Sequence, residues 1–218
     1  CGNTSTCNQT INVDDTQAPT ITTCAVTRNI EGCNTGAISG PVYSTTPATS
    51  SEAEFENGTN QGVASDVCGI TSVTYVDVAN GTCPIVVTRT WSITDACGNT
   101  STCNQTINVD DTQAPMLSCP PTQTQYLDSN CKSLLNDYTS AAIVSDICDP
   151  SVTVTQLPAI GTMYMGEQTI VVTLTATDDC SNSSTCSFNV LLEDNTPPTI
   201  SCPANVTLNA VTGSCEQT

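Results

Sequence analysis

The sequence has no histidine and only three basic residues, Arg28, Arg89 and Lys132, against 21 acidic ones, for a net charge of −18. Phosphate contacts need a basic surface, so this balance argues against nucleic acid as a partner. It argues equally against an anionic membrane surface. Without histidine, any general acid–base work would fall to carboxylates. Aromatics make up 4% of the chain, with Trp91 the single tryptophan. Such a chain buries modest cores and offers no row of stacking platforms. No apolar run is long enough to cross a bilayer, and no signal peptide is visible. Charged residues are only 11% of the total, so Thr, Ser, Asn and Gln must dominate the surface.

Cysteine is abundant, at 15 residues spread along the whole chain. An oxidising, extracellular setting with a disulfide framework fits this usage. Zinc is the competing reading. The C-x5-C spacing of Cys97 and Cys103 suits it poorly, and the usual histidine co-ligand is absent.

The organising feature is a repeat. Cys1–Pro19 and Cys97–Pro115 are identical, CGNTSTCNQTINVDDTQAP, and a looser copy, CSNSSTCSFNVLLEDNTPP, spans Cys180–Pro198. Each copy reads as a turn, an alternating strand, and an acidic linker closed by proline. The copies divide the chain. Residues 1–15 read as the last strand and linker of a preceding repeat, 16–111 and 112–194 as complete repeats, and 195–218, with Cys202 and Cys215, as the start of another. On this reading the chain is a window on a longer repetitive protein.

Strand signals recur between Gly-, Asn-, Asp- and Pro-rich turns. In 85–95, Ile85, Val87, Trp91 and Ile93 share one face, as Ile170, Val172, Leu174 and Ala176 do later. In the last strands the inward faces are Cys103, Gln105, Ile107, Val109 and Cys186, Phe188, Val190, Leu192. Threonine-rich strands at this spacing predict antiparallel β-sandwiches. Trp91 reads as core. Arg89 falls in phase with the core and is expected near a strand end with its head in solvent. The segment 44–65, with Glu52, Glu54 and Glu56, reads as a solvated loop, with a ligand-facing insertion as the alternative. Asn-x-Ser/Thr sequons stand at Asn3, Asn8, Asn57, Asn80, Asn99, Asn104, Asn182 and Asn205. They signal glycosylation only in a source with that machinery.

The motifs APTITTC, DVCGITSVTYVD, TRTWSITDACGNTSTC and INVDDTQAP resemble hyalin-type (HYR) repeats. Departures are TCAV where the family has Cys-Pro, and DICDP and CSNSS in the second repeat. The resemblance implies tandem immunoglobulin-like, all-β sandwiches in an elongated array with a role in extracellular adhesion. The cysteine in DACGN and the TRTW strand resemble the version in very long surface adhesins of gliding bacteria. That closer resemblance implies a non-catalytic stalk or filament segment at a bacterial cell surface, linked to adhesion and gliding motility. Its partners would be neighbouring repeats and a surface ligand or glycan. A ligand-binding module is the alternative, and an enzyme is not expected.

In a string of such sandwiches, the linker and two loops meet at one pole of each repeat. At the first junction these bring Asp14 and Asp15, Asp66, and Asp95. At the second they bring Asp110 and Asp111, Asp146 with Asp149, and Asp178 and Asp179 with Asn182. Convergent carboxylates repel unless a counter-ion is present. Hard anionic oxygens suit Ca²⁺, which takes roughly six to eight such ligands. Turn capping by the same aspartates is the competing reading. The same topology predicts Cys33–Cys83, Cys68–Cys97 and Cys24–Cys103 disulfides. Cys131 lacks a match for Cys83, because Gly166 stands there, so it should be free or paired across a junction.

Overall fold

The computed structural model describes residues 1–206. Cys215, expected in the start of a further repeat, lies outside them. The first sandwich contains β1 (Thr20–Thr23), β2 (Arg28–Glu31), β3 (Ala48–Ser50), α1 (Glu52–Phe55), β4 (Val63–Ser65), β5 (Ile70–Asn80), β6 (Ile85–Asp95) and β7 (Thr100–Asp110). Its sheets are β2-β7-β6-β5-β3 and β1-β4. The second contains β8 (Met116–Ser118), β9 (Gln123–Tyr126), β10 (Lys132–Leu134), β11 (Ile143–Ser145), β12 (Thr153–Leu157), β13 (Met163–Met165), β14 (Gln168–Thr177) and β15 (Ser183–Glu193). Its sheets are β12-β14-β15-β9, β8-β11 and β10-β13.

Most pairings are antiparallel, but β2 runs parallel to β7 and β9 parallel to β15. The cause is a switch of sheet without reversal. β1 pairs with β4, the chain crosses over between Thr23 and Arg28, and β2 meets the last strand heading the same way.

Alternation along the long strands builds the cores, since successive side chains face opposite sides of a sheet. Val87, Trp91, Ile93, Ile107 and Val109 are buried in the first repeat. Ile170, Val172, Leu174, Phe188, Val190 and Leu192 are buried in the second. Phe55 and Tyr75 flank Trp91 with ring centroids 5.3 and 5.6 Å away.

Two expectations are corrected here. Arg89 is fully buried. Its Nε and Nη2 donate to the two carboxylate oxygens of Asp77, each at 2.8 Å. Its Nη1 and Nη2 donate to the carbonyls of Pro41 and Val42, both at 3.1 Å. The guanidinium also lies over the Tyr75 ring, 4.4 Å from its centroid. A partner directly opposite on β5 makes burial tolerable, because Asp77 and Arg89 are register neighbours.

The segment 44–65 is not a plain solvated loop. Ser51 caps α1 by accepting from the Glu54 amide at 3.1 Å, and the short helix delivers Phe55 into the core. Buried Asn60 fixes the plug by donating to the carbonyls of Gly40 and Glu54 and accepting from Gln105. Gln105 in turn accepts from the Trp91 indole N–H at 3.0 Å. Gly62 is required beneath the plug, because a Cβ there would clash with the Phe55 ring.

Candidate functional site at the junction between repeats

The two sandwiches meet where the linker after β7 enters the second repeat, and the linker is held by side chains. The Thr112 amide and hydroxyl both donate to Glu31. Asn182 Nδ2 donates to the carbonyl of Asp111 at 2.8 Å and to Asp178 Oδ2 at 3.0 Å. Ser184 Oγ donates to the carbonyl of Pro115 at 2.6 Å. The entrance to the first repeat copies this geometry. Asn99 Nδ2 bonds the Asp15 carbonyl and Asp95 Oδ2, and Ser101 Oγ bonds the Pro19 carbonyl.

One carboxylate oxygen each from Asp111, Asp146 and Asp178 lies within 4.8 Å of the others. Part of the set is spoken for by turn caps. Asp111 Oδ1 accepts from the Gln113 amide, Asp146 Oδ1 from the Cys148 and Asp149 amides, and Asp178 Oδ1 from the Asn182 amide. Asp111 Oδ2 is different. Among the described residues it is buried with no hydrogen-bond partner, in a residue only 4% exposed. Burial pushes its carboxyl above the usual range, Gln113 pulls it back, and Asp146 and Asp178 push it up further. An orphaned, partly repelled oxygen among carboxylates is the arrangement a hard cation would satisfy.

The other aspartates predicted for these sites behave differently. Asp110 alternates away from Asp111 and lies beside Cys83 and Cys180. Asp179 is exposed and lends its backbone amide to Asp149 Oδ2, so Asp149 braces two loops together. Asp14 is exposed. At the entrance to the first repeat, Asp15 and Asp66 converge, but the third member is the Cys68 thiol. Asp95 instead accepts from Cys97 and Asn99, and the Asn99 side chain, first among these donors, holds its carboxyl below the usual range. The Cys68 thiol is pushed up to about 11, first by its hydrogen bond to Asp15.

Two disulfides cross the junction and two lie within repeats. Cys24–Cys103 forms inside the first repeat and Cys119–Cys186 at the matching place in the second. The predicted Cys33–Cys83 bond does not form. Cys33 bonds Cys148 and Cys83 bonds Cys180, with Cα separations of 4.8 and 5.3 Å. Cys33 and Cys83 do share one pole, but the loops of the next repeat cover that pole and each cysteine finds its partner there. The predicted Cys68–Cys97 bond is also absent, and both thiols are free and exposed, as is Cys131. Repeat equivalence was the available signal: Cys148 aligns with Cys68, and Cys180 with Cys97.

The family model of the HYR domain matches residues 110–192. No curated protein matches the chain. Among solved structures, a human mucin-like protocadherin fragment (EC1-2) is 10% identical over 82% of this chain and 99% of its own, with TM-score 0.36. Drosophila N-cadherin EC1-4 is 12% identical over 81% of this chain and 50% of its own, at 0.34. The titin I-band fragment I67-I69 is 10% identical over 83% and 67%, at 0.32. Likeness at this level carries nothing about binding.

Proposed function

With the HYR domain family model matching residues 110–192, we propose that the chain is a non-catalytic stalk segment of a secreted, repeat-built bacterial surface adhesin or filament. Its division into repeats at 16–111 and 112–194, and a place in cell adhesion and gliding motility, are part of the same reading. The observation that carries it is the overlap of the disulfides. Cys24–Cys103 and Cys119–Cys186 each span nearly a whole repeat, and two further bonds tie the repeats together. The covalent path from Cys24 to Cys186 therefore runs through one bond, the linker, and a second bond. Between the two bonds a load passes only through Cys103–Cys119, the end of β7 and the linker, and spares the other strands of both cores, which is what a stalk requires.

Ca²⁺ supplies the second half of the proposal. Asp111, Asp146 and Asp178 would hold it at the junction, and Asp15 and Asp66 at the entrance to the first repeat, where Asp95 caps its own turn. Asp14, Asp110 and Asp179 would contribute only to the surrounding negative field. The orphaned Asp111 Oδ2 supports this over turn capping alone, since capping leaves that atom unused. Mg²⁺ fits less well because it keeps its waters.

The test is thermal unfolding with Ca²⁺ and with chelator, under non-reducing conditions. Extracellular Ca²⁺ modules bind at about 10⁻⁴–10⁻³ M. Tenfold excess over Kd stabilises by about 1.4 kcal/mol, or roughly 5–10 °C for a domain of this size. Asp111→Asn keeps an oxygen for the Gln113 amide and should abolish the shift without lowering the chelator curve. Identical wild-type curves with and without Ca²⁺ would leave the aspartates as turn caps.

A further inference from the structure

We propose that the free pole of the first repeat is a covalent docking surface for another repeat of the same type, which bonds Cys68 through its Cys33-type cysteine and Cys97 through its Cys83-type cysteine. The argument starts from equivalence within the structure. Cys148 follows Asp146 as Cys68 follows Asp66, and each aspartate caps its cysteine's amide, at 2.8 and 2.7 Å. Cys180 and Cys97 sit in matching turns, each closed by an Asn that bonds the incoming linker. Cys148 and Cys180 are both consumed by the preceding repeat. Cys68 and Cys97 are both exposed and unpaired.

Residues 1–15 supply a second, independent observation. They repeat 97–111 letter for letter, yet they form no strand, while the identical Thr100–Asp110 is β7 between β6 and β2. Ile11 and Val13 are 76% and 95% exposed, where their counterparts Ile107 and Val109 are 0% and 1%. The same letters differ only in their neighbours. The segment lacks the β2 and β6 of a sandwich, and the repeat that supplies those strands also brings the two cysteines to this pole.

Each bond joins two thiols. The two protons and two electrons go to a disulfide oxidant such as glutathione disulfide, which leaves as two thiols after exchange.

Because residues 1–15 equal 97–111, placing a second copy of residues 16–96 directly ahead of Cys1 recreates a complete first-type repeat with its own linker. This extended chain is folded in a glutathione redox buffer with chelator, so that the outcome is independent of the Ca²⁺ reading. Free thiols are then blocked with N-ethylmaleimide and the disulfides are mapped by mass spectrometry. The expected result is a bond from Cys33 of the added copy to Cys68 and from Cys83 of the added copy to Cys97, with neither site labelled. Changing Cys33 of the added copy to Ser should free Cys68 alone. A Cys68–Cys97 bond, or two labelled thiols beside intact Cys33–Cys148 and Cys83–Cys180, would overturn the proposal. So would the absence of Cys33–Cys148 and Cys83–Cys180 themselves.

Discussion

Replacing Asp77 by Ala should unfold the first repeat selectively, and the structure sets the size of the effect. Asp77 is 2% exposed and Arg89 0%, and the pair is bidentate. Removing the carboxylate strands a guanidinium in the core with only the Pro41 and Val42 carbonyls as acceptors. It also deprives the Ser44 amide of its acceptor. Breaking one partner of a buried pair costs about 3–5 kcal/mol. With a urea dependence of about 2 kcal/mol per M, the midpoint should fall by about 2 M. Trp91 is the only tryptophan and its ring lies 5.7 Å from the Arg89 guanidinium, so its fluorescence reports this repeat alone. The second repeat has Val172 where the first has Arg89, and it is buried in an apolar cluster with Phe188 as its register partner. An apolar pair is therefore compatible with the sandwich, and Asp77→Val with Arg89→Val should recover most of the loss. A single-variant midpoint within about 0.3 M of wild type, well under 1 kcal/mol, would refute the reasoning.

Local geometry sets two further outcomes. Gly62→Ala should cost about 1–3 kcal/mol by overpacking against Phe55, again read by Trp91 fluorescence, and an unchanged midpoint would show that the plug can shift. In the second repeat, the Lys132 amide foremost holds the Asp128 carboxyl below the usual range, and the Thr139 hydroxyl does so for Asp137. Depressed folded values mean that this stabilisation is complete above an unfolded pKa of about 3.9 and is lost as pH falls through the folded values. Thermal melts followed by circular dichroism should therefore lose this contribution below about pH 4, with a shallower acid dependence in Asp137→Asn.

The inward strand faces and the meeting of linker with two loops were legible in the sequence because each depends on local periodicity or on exact recurrence. The disulfide crossings were not, because pairing was sought within each repeat, whereas the contacts that decide it arise only when two poles abut. Arg89 was misplaced for a similar reason. Its partner lies on the neighbouring strand, although Asp77 falling in phase with Val73 and Tyr75 was a readable warning. The plug was signalled by Ser51-x-x-Glu54, a capping-box spacing, ahead of the only phenylalanine of its repeat. Within the acidic cluster, the sequence could not separate Asp111, which turns inward, from Asp110, which the strand alternation sends to the disulfide.

The stalk reading is tested most directly by pulling single molecules from their two ends. Cys24–Cys103 and Cys119–Cys186 hide separations of 79 and 67 residues, roughly 500 Å of chain at about 3.3–3.6 Å per residue. With the disulfides intact, the molecule should show no unfolding step beyond the slack outside Cys24 and Cys186 and in the Cys103–Cys119 stretch between the bonds. After reduction, it should release that hidden length as the two sandwiches open. An oxidised molecule that lengthens by several hundred Å would contradict the account, because the load would then be passing through the cores and not around them.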